Sequence, residues 1–138
     1  MDVLGYASTS TAYALGYDAD PRLVERVSGQ WDVPVCSTSM SAVGAWRSFH
    51  IDRVALVHPP WFGDAVSNLD AEAVFIGGNG LRAARAIGEL EDKLGRLVLE
   101  SNQVLLWSIL ARAGVSLDIR GYGMLFEESP HQHGDPGR

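Results

Sequence analysis

The sequence predicts an α/β fold: a parallel sheet of about five strands, built from two similar half-units. Three observations carry that expectation. Short apolar runs of β type alternate with stretches of helical spacing along most of the chain. The runs end in small or hydroxyl-bearing residues, namely Ser8-Thr9-Ser10-Thr11, Ser37-Thr38-Ser39 and Gly77-Gly78-Asn79-Gly80. The order strand, small-residue turn, helix, strand, Ser/Thr/Asn ending occurs at Val3–Ser39 and again at Val74–Asn102. Ligands of open α/β sheets bind at the carboxyl ends of the strands, so two such turns are expected to face each other.

In chain order, Val3-Leu4-Gly5-Tyr6-Ala7 is the first strand, and Ala12 to Leu15 can form one helical turn. Pro21 suits the opening of a helix that carries Leu23, Val24 and Val27. Val33-Pro34-Val35-Cys36 is a second strand, with its proline at the start, where a lost donor is tolerable. Met40 to Phe49 is helical, with Val43, Trp46 and Phe49 on one side, and Arg53 to Val57 is the third strand. Trp61 to Glu72 leaves only a dozen residues for a parallel crossover, which reads as an internal shortening. Ala73-Val74-Phe75-Ile76 is the fourth strand, of the fully apolar kind buried on both faces. From Leu81 the apolar spacing turns helical through Ala83, Ile87, Leu90 and Leu94, with Gly95 as the stop. Leu97-Val98-Leu99 is the fifth strand, after which Asn102 is expected to cap a helix ending at Gly114. Ile119 to Phe126 could form one stray strand. The division is a single α/β domain over 1–127, with a first-lobe remnant at 1–50, a second at 51–114, and a flexible tail at 128–138.

Composition narrows the function classes. A formal net charge of −6 argues against a nucleic-acid or anionic-membrane surface. One cysteine, Cys36, excludes an internal disulfide and suits a reducing cytoplasm, and Met1-Asp2-Val3 has no basic leader. The apolar runs are too short to span a bilayer. Unpaired edges of a small sheet would favour a homo-oligomer.

The candidate sites each have a plain structural explanation beside the functional one. Gly78-Asn79-Gly80-Leu81-Arg82-Ala83 fits the dinucleotide fingerprint, with Glu100, 22 positions on, as the ribose acid; a tight turn needing glycine explains the same residues. Ser8 to Thr11 can offer hydroxyl and amide donors to a carboxylate, or simply end a strand and cap a helix. Cys36 is a nucleophile only if its pKa is lowered, and otherwise a small buried hydrophobe. His58 could be a general base but has no evident carboxylate partner. His131 and His133 have metal-pair spacing without a third ligand.

Several of these stretches together resemble the aspartate/glutamate racemase superfamily, in its maleate cis-trans isomerase and arylmalonate decarboxylase branch. They are Gly5 to Ser10, Val33-Pro34-Val35 with its Ser/Thr run, Arg53 to Val57, Ala73 to Arg82, and Leu97 to Trp107 with Ser101-Asn102-Gln103. The resemblance implies a cofactor-free isomerase, racemase or decarboxylase with a site between two Rossmann-like lobes and a small mono- or dicarboxylate as substrate. It implies no metal. It places Thr9 and Ser10 on one side of the carboxylate, and Gly77, Gly78, Asn79 and Gly80 on the other. The family's two cysteine positions fall on Ser8 and Gly78, which leaves Ser8 as the one side chain at a catalytic position. A hydroxyl is a far poorer acid, base or nucleophile than a thiolate, so activity of this chain is the open expectation. The alternatives are an inactive carboxylate-binding fragment and a nucleotide-binding α/β domain.

Overall fold

A computed structural model describes residues 1–16, 18–59 and 70–127. The first lobe begins with β1 (Leu4–Tyr6), which pairs in parallel with β2 (Val35–Ser37), Leu4 opposite Val35 and Tyr6 opposite Ser37. The crossover holds two helices, α1 (Thr9–Leu15) and α2 (Ala19–Trp31). Ser8 sets the start of α1, being extended (φ −154°, ψ 114°) with its hydroxyl accepting from the Thr11 amide. Ser37 does the same for α3 (Thr38–Ser48), accepting from the Met40 amide. Its own hydroxyl donates to the buried Asp20 carboxylate at 2.6 Å and so ties α2 to the end of β2.

The second lobe is a parallel sheet in the order β3 (Val54–Val57), β4 (Ala73–Ile76), β5 (Leu97–Glu100), in register from Val54–Ala73–Leu97 onward. α4 (Ile87–Leu94) follows β4 after a single 3-10 turn, α5 (Ser101–Arg112) follows β5, and α6 (Met124–Glu127) comes last.

Each lobe lends the other a helix. α3 leaves the first sheet but buries Ala42, Ala45 and Trp46 against the second, where Trp46 meets Phe75 edge-on at 5.5 Å. α5 leaves the second sheet and packs on the first: Leu105 and Ile109 lie against Gly5, and the Ser108 hydroxyl is 3.5 Å from the Cys36 sulfur. A Cβ at Gly5 would come within 2.5 Å of Ile109 Cδ1, so a larger residue there would have to push that methyl group aside. Val104, Trp107, Leu97, Leu99 and Phe126 complete the main core. The opposite face of the second sheet is covered by Ile87 of α4, over Ile76 and Val98.

The five expected strands are present and parallel, in two sheets of two and three strands with α3 and α5 packed between them. Three expectations are corrected. The helix expected from Leu81 starts at Ile87. Glu100, not Asn102, is the N-cap of α5. The stray strand at 119–126 is replaced by the short helix α6, held by the Met124 amide donating to Glu91. Residues 60–69 of the cramped crossover and the 128–138 tail lie outside the described residues.

Candidate active site

The carboxyl ends of β1 and β4 bring the two turns together. A cavity of about 290 Å³ is lined by residues 7–10 of the first turn, 78–81 of the second, and Pro59. Six of the seven residues expected at the site, Ser8, Thr9, Ser10, Gly78, Asn79 and Gly80, line it. Gly77 does not; its amide donates to Val57 O at 2.7 Å and extends the β3–β4 pairing. A second, larger and mostly apolar cavity of about 600 Å³ lies between α1, α3 and the β3–β4 face, and Thr9 borders both.

The hydrogen bonds decide which donors remain. The Thr9 amide donates to Asn79 Oδ1 at 3.1 Å, joining the lobes directly. Asn79 Nδ2 donates to Asn102 Oδ1 at 3.0 Å and to Thr38 Oγ1 at 3.3 Å. Asn102 Nδ2 donates back to Asn79 O and to Glu100 Oε1. The Gly78 amide donates to Ser101 Oγ at 2.8 Å, and the Ser101 hydroxyl donates on to Ile76 O. Gly78 holds φ +124°, a backbone state that side chains disfavour, which fixes the bend between β4 and the turn. Among the described residues the amides of Ser10, Asn79 and Gly80 have no partner, and these three residues line the same cavity. No ionisable side chain lines it among those residues.

Ser8 is the expected catalytic position, but its hydroxyl is committed to the cap. It accepts from the Thr11 amide at 3.2 Å and pairs with Thr11 Oγ1 at 2.8 Å, which in turn pairs with the Tyr6 hydroxyl at 2.7 Å. No base sits in this string of hydroxyls.

Glu100 is fully buried and accepts from the Asn102 and Gln103 amides and from Asn102 Nδ2, while Gln103 Oε1 accepts the Glu100 amide in return. Burial raises its pKa above the ordinary carboxylate value, against the pull of those hydrogen bonds. This corrects the ribose-acid expectation: the carboxylate is consumed as a helix cap. No helix opens behind Gly80 either, so the dinucleotide fingerprint lacks its helix N-terminus. Cys36 is buried beside Ser108 and does not line the cavity. His58 Nδ1 lies 2.9 Å from Pro59 O, also away from the lining. His131 and His133 lie outside the described residues, among which no group of three potential metal ligands occurs.

Sequence reasoning missed Thr38, Ser101 and Glu100 as the supports of Asn79 and Gly78. The Glu100-x-x-Gln103 spacing carried a readable capping-box signal; Thr38 carried none.

Comparison with known proteins adds the fold. No family model and no curated protein sequence matches the chain. Among solved structures, arylmalonate decarboxylase superposes with a TM-score of 0.82 at 21% identity, over 92% of this chain and 74% of that one. A cysteine-to-serine mutant of Nocardia farcinica maleate cis-trans isomerase, with a covalently bound succinylcysteine intermediate, gives 0.83 at 18% over 93% and 72%. A maleate isomerase variant from Pseudomonas putida S16, solved with maleate, gives 0.80 at 18% over 91% and 70%. This chain has their fold. The decarboxylase/isomerase fold thus agrees with the sequence resemblance. No helix among the described residues is long and apolar enough to cross a membrane.

Proposed function

We propose that this chain binds a small carboxylate between the Ser8–Ser10 and Gly78–Gly80 turns, as a cofactor-free relative of the maleate isomerases and arylmalonate decarboxylases. One observation carries the reading: residues Ser10, Asn79 and Gly80, from turns almost 70 positions apart, line one small cavity with their amides unpartnered. Clustered neutral N–H donors in a partly desolvated cavity suit an anionic oxygen, whether in the ground state or in an enediolate. A small soluble acid of the cytoplasm is the ligand class, with neither nucleic acid nor membrane as partner.

Isomerase, racemase or decarboxylase turnover is the finer reading. It needs a group that adds to the substrate or carries a proton. One structural neighbour carries a covalently bound succinylcysteine intermediate; the sequence resemblance puts the family's cysteine positions on Ser8 and Gly78, and Ser8 is a helix cap. That observation favours a second reading, binding without chemistry. Purified protein incubated with maleate, aspartate and arylmalonates separates the two. Turnover abolished by Ser8→Ala supports the enzyme; binding seen by calorimetry with no turnover supports the binder; neither binding nor turnover removes both.

A homo-oligomer accompanies either reading. β1 and β2 are each paired on one side alone among the described residues, as are β3 and β5. Such edges template association. A concentration-independent monomer in sizing chromatography removes this part of the proposal.

A further inference from the structure

The two turns are bridged by a side chain that competes with a ligand. Asn79 Oδ1 sits 3.1 Å from the Thr9 amide, in the role a carboxylate oxygen would take there. The carboxamide is not free to leave at little cost, because its nitrogen is held by Asn102 Oδ1 and Thr38 Oγ1. Asn102 is itself oriented by Glu100, whose buried carboxylate accepts its side-chain N–H at 2.8 Å. A chain of hydrogen bonds therefore runs from the end of β5 to the first residue of α1. The Gly78 amide is taken by Ser101 and the Gly77 amide by Val57. Among the backbone donors that remain, the amides of Ser10, Asn79 and Gly80 are enough for the two oxygens of one carboxylate.

We propose that Asn79 is a specificity-determining residue: by occupying the Thr9 amide it withdraws a donor that a second carboxylate would need, so the cavity takes a monoanion in preference to a dianion. The inference rests on the carboxylate reading of this cavity and deepens it. A second carboxylate would enter a cavity whose described lining has no lysine, arginine or histidine. It would lose its hydration without gaining a counter-charge. Glu100 and Asn102 act through Asn79 and are positioning residues.

The test is calorimetric titration of the full chain with propionate and with succinate, at a pH where both succinate carboxyls are ionised. The wild-type chain is expected to bind propionate more tightly, by on the order of tenfold. Asn79→Ala frees the Thr9 amide and is expected to bring succinate to parity or better. Asn102→Ala, which leaves the Asn79 carboxamide nitrogen held by Thr38 Oγ1 alone, moves the ratio the same way by a smaller factor. Tighter succinate binding by the wild-type chain overturns the proposal and leaves the carboxylate reading standing, as does a ratio unchanged in a folded Asn79→Ala. Binding of neither acid by the wild-type chain sinks both. If Asn79→Ala fails to fold, the wild-type ratio together with Asn102→Ala decides.

Discussion

The backbone amide of Thr9 and the side-chain oxygen of Asn79 are hydrogen-bonded at 3.1 Å across 70 residues of chain, which makes this contact a direct link between the two lobes. Thr9 is the first residue of α1, where a helix has no internal use for its N–H. Proline is tolerated at that position, and Ser8 before it is already extended, as a residue preceding proline prefers. Thr9→Pro should therefore keep α1 and delete only the interlobe donor, beyond what Thr9→Ala removes. The expected difference between the two variants in urea unfolding is about 1 kcal/mol, the net worth of one such bond. Equal stabilities would show that the contact holds nothing.

Ser8 is predicted to matter for α1 before it matters for chemistry. Replacing a serine N-cap by alanine costs about 1 kcal/mol. Ser8→Ala should lower the urea midpoint with an unchanged slope, and leave propionate affinity close to wild type, since the unpartnered amides belong to Ser10, Asn79 and Gly80. A large loss of affinity with no loss of stability would instead make Ser8 a ligand-contacting residue.

Much of this was legible in the chain. Strand ends rich in serine, threonine and glycine marked both turns, because short polar residues cap helices and glycine takes bends that side chains refuse. The fold class followed from period changes between strand and helix. What escaped was tertiary. Nothing local in Thr38-to-Ser48 says that its apolar stripe buries against the other lobe's sheet. The helix expected from Leu81 started late because the turn closes through the Leu81 amide to Gly78 O, and α4 forms only once Ile87 reaches the core. Glu100 stays open in the sequence between ribose contact and structural residue because a strand-end acid looks the same whether it faces a ligand or caps the helix that follows.

Gly78 and Gly80 flank Asn79, yet only one of them is predicted to be irreplaceable. Gly78 has φ +124°, and a Cβ there would sit 3.4 Å from the Pro59 ring. Gly80 is exposed, has no positive φ, and a Cβ on it would meet nothing within 4 Å. Gly78→Ala should cost of order 1–3 kcal/mol through backbone strain, and Gly80→Ala well under that. Installing a thiol by Gly78→Cys carries the same strain, so any gain in turnover should come with a lower melting temperature. Equal thermal stability of the two alanine variants would contradict the backbone geometry given for the turn.

Two carboxylates should tilt the stability of this protein in opposite directions with pH. Burial raises the Glu100 pKa in the folded chain, so the folded state holds its proton to higher pH than the unfolded one. The associated stability is fully present below the ordinary glutamate pKa and declines as pH rises to the elevated value. Glu72 is the reverse. Amide donors from Asp52 and Arg53, and then the Arg53 guanidinium at 2.8 Å, lower its pKa. Its contribution is present above the ordinary pKa and is lost as pH falls through the lowered one. Melting temperatures measured across the acid range should show Glu72→Gln narrowing the loss on acidification. Glu100→Gln should track the wild type near the acid end and diverge from it as pH rises, since the neutral amide mimics only the protonated acid. A Glu100→Gln offset constant across the whole range would mean that the buried carboxyl does not titrate differently in the folded chain.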